Sequence, residues 1–235
     1  MPDLFEASLS RRWDRYDAYL FDIDGTMITS DDAVHYFAFC DALEMLSGRP
    51  LNLDGVIAHG NTDVGILRDA LALAGVAESI WRPRRDEACA AMGRFVAERR
   101  SELRVRVLPG VRGLLEHLRE RGAVLGVATG NLATIGRLKL ESVGLLAFFR
   151  AGSYSDALET RSAVFRRALA SVREVAGVEA AVCVLGDTPE DVRAARANGL
   201  EVIAVATGIY SFEELAAERP HACCRELTDL LASGD

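Results

Sequence analysis

The stretch that decides the fold is Ala18-Tyr19-Leu20-Phe21-Asp22-Ile23-Asp24-Gly25-Thr26. Its apolar first half is typical of a short strand, and Gly25 permits a sharp turn directly after it. Side chains alternate along a strand, so Asp22 and Asp24 can face one pocket when the strand ends in a loop. An ionised carboxylate can act as a nucleophile, a second one can move a proton, and together they can hold Mg²⁺. The pattern therefore indicates phosphoryl transfer through an aspartyl-phosphate.

The same residues have a plainer interpretation, because Asp and Gly are common in turns and in calcium-binding loops. An EF-hand loop that began at Asp22 would need a Glu at its twelfth position, and that position is Ala33. The calcium loop is therefore excluded. An ordinary turn stays open on this motif alone.

The composition indicates a folded chain with an acidic surface. The chain has 235 residues, half of them hydrophobic, which is enough for one large domain or for a core with a smaller domain. Its formal net charge of −8 argues against a nucleic-acid partner or an anionic membrane surface. An anionic substrate would then need a metal or particular basic side chains, and Lys139 is the only lysine of the chain.

Cysteines and apolar runs bear on the cellular compartment. The five cysteines are odd in number and form no Cys-x-x-Cys pair, so we expect neither a disulfide framework nor a zinc site. The charged N-terminal region lacks the apolar segment of a signal peptide, and no stretch approaches about 20 uninterrupted apolar residues. We therefore expect no membrane association and a cytoplasmic location.

Three further apolar runs of strand character follow, and helical patterns lie between them. The runs cover 123–128, 181–185 and 202–205, and the helical patterns cover 111–121, 132–143, 162–175 and 190–197. This alternation predicts a Rossmann-like, doubly wound α/β fold with a parallel sheet. Ligands of such sheets bind beyond the carboxyl ends of the strands, where Asp22, Thr129 and Asp187 are all expected.

Residues 31–105 interrupt the alternation, and we call them the helical insertion. Ser30 is expected to cap a first helix with Val34 and Phe37 among its inward-facing residues, and further helices are expected over 62–74 and 84–100. We find no strand pattern there. The predicted organisation is a core domain of 1–30 and 106–235 with a small all-helical cap domain of 31–105. Such a cap can close over the rim of the sheet and exclude water.

Four motifs stand in order along the chain: Asp22-Ile23-Asp24-Gly25-Thr26, Ala128-Thr129-Gly130-Asn131, Arg161, and Gly186-Asp187-Thr188-Pro189-Glu190-Asp191. The ordered set resembles the haloacid dehalogenase superfamily, and within it the phosphatases that have a helical cap inserted after the first motif. The resemblance extends from Tyr19 to about Leu231. The tail 207–215 is similar to that of members of the phosphoglycolate-phosphatase type.

The resemblance implies a role for each of four acidic residues. Asp22 looks like the nucleophile, and Asp24 looks like the acid and base whose backbone carbonyl also binds Mg²⁺. Asp187 is similar to the metal ligand of the last catalytic strand. Asp191 lies one helical turn later and would bind a metal-bound water or orient the loop. The implied metal site therefore comprises Asp22, Asp24, Asp187 and Asp191.

The resemblance also implies a phosphate-binding set. Thr129 would donate its hydroxyl to a phosphoryl oxygen, and Gly130 and Asn131 belong to the same loop. Ordinary turn formation or helix capping is the alternative explanation for Thr129 and Asn131. The family usually has a lysine at the third motif, where this chain has Arg161, whose planar cation suits phosphate. The alternative is an exposed arginine at a helix start. Lys139 competes for the role, but its mid-helix position favours a surface or structural residue.

A glycine turn in the insertion offers candidates for substrate recognition. His59, Asn61 and Asp63 flank Gly60 and a predicted helix start, and their side chains could read the leaving group. It is equally consistent that Thr62 is an N-cap and that Asp63 complements the helix dipole.

Together these expectations describe a Mg²⁺-dependent phosphomonoesterase that acts on a small phosphorylated metabolite. A phosphomutase resembling β-phosphoglucomutase stays open, as does a non-catalytic phosphate-binding protein on the same scaffold. The family's dehalogenases lack the second acidic residue, and its phosphonate hydrolases use a cap lysine that the insertion lacks. We expect the chain to act as a monomer or a homodimer.

Overall fold

The computed structural model describes residues 5–6 and 8–232. The strands in this part of the chain are β1 (Phe5–Glu6), β2 (Ala18–Phe21), β3 (Ile28–Ser30), β4 (Val105–Val107), β5 (Val124–Ala128), β6 (Ala151–Ser153), β7 (Val182–Gly186), β8 (Glu201–Val205) and β9 (Ala222–Cys224). Seven of them form one sheet in the order β1-β9-β8-β7-β2-β5-β6. Its pairings are parallel except that of β1 with β9. The predicted parallel α/β sheet is therefore confirmed.

Helices cover both faces of this sheet. The helices of the described chain are α1 (Val34–Ser47), α2 (Asp63–Leu73), α3 (Glu78–Trp81), α4 (Arg85–Glu98), α5 (Val111–Glu120), α6 (Ala133–Ser142), α7 (Arg161–Ala176), α8 (Pro189–Ala197), α9 (Phe212–Ala217) and α10 (Leu227–Ala232). Helices α5, α6 and α10 share a hydrophobic core with one face of the sheet, and α7, α8 and α9 share a second core with the other. The fold is thus doubly wound, as the alternating pattern predicts.

The central strand shows why both layers form. Along β2, Tyr19 and Phe21 belong to the core on the α5 side, while Ala18 and Leu20 belong to the core on the α7 side. Successive side chains of a strand point to opposite faces, so a run of four apolar residues requires cover on both. All four are buried. The apolar run therefore fixes β2 at the centre of the sheet.

The four helices α1 to α4 lie between β3 and β4 and have a hydrophobic cluster of their own. Leu132 and Ile135 also belong to that cluster, and Ile135 is a residue of α6. The helical insertion therefore rests on α6, the helix that follows the second motif. The domain boundaries 31–105 stay a prediction.

Two details at the start of the insertion correct the sequence prediction. Ser30 ends strand β3 and does not cap α1, because Asp32 accepts hydrogen bonds from the Val34 N–H (3.0 Å) and the Arg104 N–H (2.7 Å). Phe37 is 55% exposed instead of inward-facing, since the buried face of α1 is set by Val34 and the residues four and eight positions later.

The antiparallel pair of β3 and β4 was not predicted either. Each strand has only three residues, too few for a periodic pattern, and the partners are far apart in sequence. Strands β6 and β9 also have only three residues each, so they too lack a recognisable sequence pattern.

A membrane-spanning helix is not found among residues 5–6 and 8–232. The longest helix there, α7, has 16 residues and carries arginine on its exposed face. The cytoplasmic location stays a prediction.

Candidate active site

Three strands deliver polar residues to one rim of the sheet. Asp22 follows β2, Thr129 follows β5, and Asp187 follows β7. Because β2 pairs in parallel with both β5 and β7, the carboxyl ends of all three meet at the same edge. A cavity of about 190 Å³ lies at this edge, between the core and the helical insertion. Its lining includes Asp22, Asp24, His35, His59, Asn61, Asp63, Thr129, Gly130, Asn131, Lys139, Arg161 and Asp187.

Arg161 connects two of the motif carboxylates. Its Nη2 lies 2.5 Å from Asp22 Oδ1 and 2.7 Å from Asp191 Oδ1, and its Nε donates to Asp191 Oδ1 at 2.8 Å. The guanidinium is the first side chain of α7, whose N-cap Thr160 accepts a hydrogen bond from the Ala163 N–H. Only 4% of Arg161 is exposed. The alternative of an exposed arginine at a helix start is therefore wrong.

Asp191 lies on α8 and has both carboxylate oxygens engaged. One oxygen holds Arg161, and the other accepts hydrogen bonds from the Thr188 hydroxyl (2.7 Å) and the Thr188 N–H (3.1 Å). The Thr188 side chain in turn accepts from the Asp191 N–H, which completes a capping box at the start of α8. Two roles are expected for Asp191, binding of a metal-bound water and orientation of the loop, and this arrangement favours the second.

The pKa of Asp22 reflects opposing influences. The net pKa is raised to about 6: burial raises it most, the Arg161 guanidinium lowers it, and the nearby Asp191 carboxylate raises it. Asp187 is pushed further in the same direction, since burial and then the charge of Asp22 raise its pKa well above the ordinary range. Ionisation of either carboxyl group therefore costs free energy in the site, and a cation bound beside them would offset that free energy.

A tight backbone cradle holds Asp187. Its Oδ1 accepts a hydrogen bond from the Thr26 hydroxyl at 2.8 Å. A Cβ on Gly25 would lie 2.2 Å from Asp187 Oδ2, and a Cβ on Gly208 would lie 1.8 Å from it. The Thr207 hydroxyl donates to the Gly25 carbonyl at 2.6 Å. The loop 207–215 therefore approaches this rim of the sheet so closely that a side chain at Gly25 or Gly208 would overlap Asp187.

The donor set of this cluster fits a divalent cation. Carboxylate oxygens of Asp22, Asp187 and Asp191 lie within 4.8 Å of one another. Taken with Asp24, these carboxylates face two buried cationic side chains, Arg161 and Lys139, so their formal charges leave an excess of negative charge. Hard oxygen ligands with excess negative charge are what Mg²⁺ prefers. Asp22 and Asp187 are the side chains best placed to hold it, because the oxygens of Asp191 are engaged.

The loop after β5 links the phosphate-binding candidates to Asp24. The amide of Asn131 donates to Asp24 Oδ2 at 2.7 Å and to Thr129 Oγ1 at 2.8 Å. Thr129 is fully buried at the cavity wall. A Cβ on Gly130 would lie 2.1 Å from the backbone oxygen of Asn61, so the loop and the insertion approach each other closely.

Lys139 is not a surface residue, which was one of the two positions expected for it. It is 4% exposed, lines the cavity, and donates from Nζ to both oxygens of Asp24 at 2.9 Å. Partial desolvation alone would raise the pKa of Asp24, but Lys139 and the Asn131 amide outweigh it, and the net pKa is lowered. The resting Asp24 is therefore a carboxylate paired with a buried ammonium.

The candidates in the insertion have mainly structural contacts. Asn61 accepts from the Thr62 N–H and donates to Asp69, while Thr62 is the N-cap of α2. Asp63 is buried, accepts a hydrogen bond from the Leu132 N–H at 2.7 Å, and lies 3.2 Å from His35 Nε2. Of the expected trio, His59 is the exposed residue at the cavity, so it remains the best candidate to meet a leaving group.

Comparison with known proteins identifies the family. The family model for haloacid dehalogenase-like hydrolases matches residues 16–199, most of the chain. The chain belongs to the haloacid dehalogenase-like hydrolases. A phosphoglycolate phosphatase of Pseudomonas syringae pv. tomato is 30% identical over 220 residues, which cover 90% of this chain and 77% of that protein. A phosphoglycolate phosphatase of Caulobacter vibrioides is 29% identical over 192 residues, covering 80% and 78%. These relatives place the chain among the phosphatases of the family.

Solved structures of other proteins share the fold. A hydrolase from Pseudomonas syringae superposes with a TM-score of 0.65 at 19% identity and covers 92% of this chain and 96% of its own. A haloacid dehalogenase-like family protein from Streptococcus pneumoniae gives a TM-score of 0.62 at 18% identity, covering 94% and 99%. The agreement over nearly the whole chain extends to both the sheet and the helical insertion.

Proposed function

We propose that this phosphatase hydrolyses phosphomonoesters of small metabolites with Mg²⁺, through an aspartyl-phosphate on Asp22. The observation that carries the proposal is the contact of Arg161 with Asp22 at 2.5 Å inside a cavity that Asp24 and Asp187 also line. A nucleophilic carboxylate, a fixed cation and a second carboxylate are thereby assembled around one small space. These are the groups that phosphoryl transfer requires.

In the first step, an oxygen of Asp22 attacks the phosphorus atom and the bond from phosphorus to the ester oxygen breaks. A proton from Asp24 goes to the departing oxygen, so the alcohol leaves neutral. Arg161 neutralises charge that builds up on the phosphoryl oxygens, with Thr129 as a further hydrogen-bond donor. The lowered pKa of Asp24 means that this step draws on its protonated minority.

In the second step, Asp24 accepts a proton from water while the water oxygen attacks the phosphorus. The bond from phosphorus to the Asp22 oxygen breaks, which releases inorganic phosphate and restores the Asp22 carboxylate. A carboxylate with a lowered pKa is already in the basic form that this step uses. The two steps return every group to its starting state.

The metal would be held by the side chains of Asp22 and Asp187 and by the backbone carbonyl of Asp24. When bound, Mg²⁺ supplies positive charge that draws the phosphate dianion into a pocket rich in carboxylates. The Thr26 hydroxyl and the glycine cradle hold Asp187 for that purpose. Arg161 and Asp191 keep Asp22 in position on the other side.

We further propose a short, acidic substrate, with 2-phosphoglycolate as the first candidate. The curated relatives are named phosphoglycolate phosphatase, and the cavity of about 190 Å³ is of a size that suits a small substrate. The net charge of −8 gives no support to a nucleic-acid or membrane partner. We expect the chain to act on its substrate as a monomer or a homodimer.

Phosphate release from a panel of phosphorylated metabolites tests this function. The panel includes 2-phosphoglycolate, sugar phosphates and nucleoside monophosphates, with and without Mg²⁺, and Asp22→Asn is the control. Release that needs Mg²⁺ and is lost in Asp22→Asn supports the proposal. Transfer to a second hydroxyl without release would indicate a mutase. Metal binding without either reaction would indicate a binding protein.

A further inference from the structure

Lys139 lies at the centre of a buried polar network that the four motifs do not account for. Its ammonium contacts both oxygens of Asp24 at 2.9 Å, Asn131 Oδ1 at 3.0 Å and His35 Nδ1 at 3.3 Å. An ammonium has three hydrogens to donate, and these partners surround it on several sides. Lys139 is the only lysine of the chain, so the chain has no second lysine ammonium that could take its place.

The two members of the ion pair differ in exposure. The side chain of Lys139 is 6% exposed, whereas that of Asp24 is 40% exposed. Lys139 is anchored on α6 within the packed core, while Asp24 lies in the loop that follows β2. A carboxylate on a loop with this exposure has several accessible rotamers. The buried ammonium therefore restricts the orientation of Asp24, whereas Asp24 restricts the position of Lys139 only slightly.

The helical insertion holds the network from the other side. His35 is a residue of α1 and lies between Lys139 and Asp63, whose carboxylate is 3.2 Å from His35 Nε2. Asp63 in turn accepts a hydrogen bond from the Leu132 N–H at the start of α6. The position of the ammonium is thus fixed jointly by the core helix and by the insertion that covers the cavity.

We propose that Lys139 is a positioning residue that keeps the Asp24 carboxylate aimed into the cavity, so that it can exchange a proton with the leaving oxygen. The inference rests on the proposed function, because it assigns Lys139 an effect through Asp24. Misplacing a catalytic group by about 1 Å can cost about a hundredfold in rate. If the ion pair were purely structural, its loss would lower the rates on all substrates equally, because the loss would act through the stability of the fold.

Leaving-group dependence separates the two roles. The departing oxygen of an alkyl ester such as 2-phosphoglycolate needs a proton from a general acid. The p-nitrophenolate that leaves p-nitrophenyl phosphate is stable as an anion and does not need that proton. The measurement is the first-turnover release of the alcohol or phenol from each ester. The variant is Lys139→Met, which removes the charge and keeps a long side chain. Lys139→Gln serves if the methionine variant does not fold, as judged by circular dichroism.

The matched control is Arg137→Met, which removes one positive charge from the exposed face of the same helix. We expect Lys139→Met to lower the first-turnover rate on the alkyl ester by about tenfold or more, and the rate on the aryl ester by less than about threefold. Arg137→Met should leave both rates unchanged. In an Asp24→Asn background, adding Lys139→Met should change the alkyl rate by less than about twofold, because the group it positions is gone.

Equal losses on both esters, or an undiminished loss in the Asp24→Asn background, would overturn the role of Lys139. Wild-type protein that releases neither product, or an Asp22→Asn variant with normal rates, would overturn the proposed function and this inference with it. When wild type is active and Asp22→Asn is not, the ester comparison tests Lys139 alone.

Discussion

The burial of Asp187 lowers the stability of the metal-free protein. Its carboxylate is 3% exposed, and burial together with the charge of Asp22 raises its pKa. A carboxylate whose pKa is raised by folding favours the folded state below its ordinary pKa. That contribution is lost as the pH rises through the folded-state pKa. In the absence of metal, burial of this carboxyl group therefore costs stability at neutral pH relative to a neutral side chain.

We expect Asp187→Asn to stabilise the metal-free protein by about 1–2 kcal/mol near pH 7.5, since the amide keeps an oxygen for Thr26 and carries no charge. The gain should shrink toward pH 4, where Asp187 itself is protonated. Mg²⁺ should stabilise the wild type but not the variant. Urea unfolding at both pH values, with and without Mg²⁺, measures this. Equal stability of the two proteins without metal would contradict the expectation.

The glycine cradle gives a second prediction at this scale. A methyl group on Gly208 would overlap Asp187 Oδ2 at 1.8 Å, so Gly208→Ala should displace the carboxylate. We expect Mg²⁺ affinity to fall about 10–100-fold, as for loss of support to a metal ligand. Calorimetric titration with Mg²⁺ measures the affinity.

Gly113→Ala is the control, because a methyl group there meets only Leu231 Cδ1 at 3.4 Å. It lies within α5, and it should leave Mg²⁺ affinity unchanged and raise stability by about 0.5–1 kcal/mol. Similar affinity in both variants would show that the cradle does not hold Asp187.

At the start of α6, two carboxylates accept backbone hydrogen bonds: Asp63 of the insertion, and Asp156, which accepts from the Ala133 N–H at 2.9 Å. The N-cap residue Leu132 has no capping side chain, and the carboxylate of Asp63 accepts a hydrogen bond from the Leu132 N–H instead. The Asp63 N–H donates to the Gly130 carbonyl at 2.7 Å. One residue of α2 thus ties the insertion to the loop and the helix that follow β5.

Asp63→Ala should destabilise the protein by about 1–2 kcal/mol, because it leaves the Leu132 N–H without its acceptor. Amide hydrogen exchange at the start of α6 should speed up more than exchange in α8, whose capping box is local. Asp63→Asn keeps an acceptor oxygen and should cost less. Exchange that is unchanged at α6 in Asp63→Ala would show that the cap is unimportant.

Sequence patterns predicted the long elements and failed where contacts are tertiary. The core helices begin or end within about two residues of the predicted limits, since their apolar periodicity is local. The pairing of β3 with β4 depends on partners distant in sequence, which no local pattern contains. In the site, the four ordered motifs located Asp22, Thr129, Arg161 and Asp187 at one cavity.

Lys139 shows what a closer sequence analysis could have found. It stands four residues after the buried Ile135, on the inward face of α6, where a charged side chain needs a buried partner. Its pairing with Asp24 across 115 positions could not be read from the sequence. The periodicity of the helix was therefore a signal of burial but not of the partner.

At the scale of the whole molecule, three arginines of the insertion converge on Glu159, two residues before Arg161. Glu159 Oε1 lies 2.8 Å from Arg82 Nη1 and 3.6 Å from Arg85 Nη1. Glu159 Oε2 lies 3.5 Å from Arg68 Nη1. The side chain of Glu159 is 21% exposed. These pairs fasten the insertion to the core beside the active site.

Glu159→Gln should favour opening of the insertion by about 1 kcal/mol, roughly a fivefold shift, since partly exposed ion pairs contribute on this scale. Hydrogen exchange over α2 should then quicken, and the effect should fade in high salt. Glu179→Gln removes an exposed charge elsewhere and is the control. A wild-type exchange pattern in Glu159→Gln would contradict the role of these pairs.

Trapping the phosphorylated intermediate would show whether Asp22 carries the phosphoryl group. The protein is mixed with 2-phosphoglycolate and Mg²⁺, quenched in acid within the first turnover, digested and examined by mass spectrometry. We predict one added phosphoryl group on the peptide that contains Asp22, absent in Asp22→Asn and absent without Mg²⁺. Phosphate release with an unmodified Asp22 peptide at every quench time, or a phosphoryl group on another residue, would contradict it.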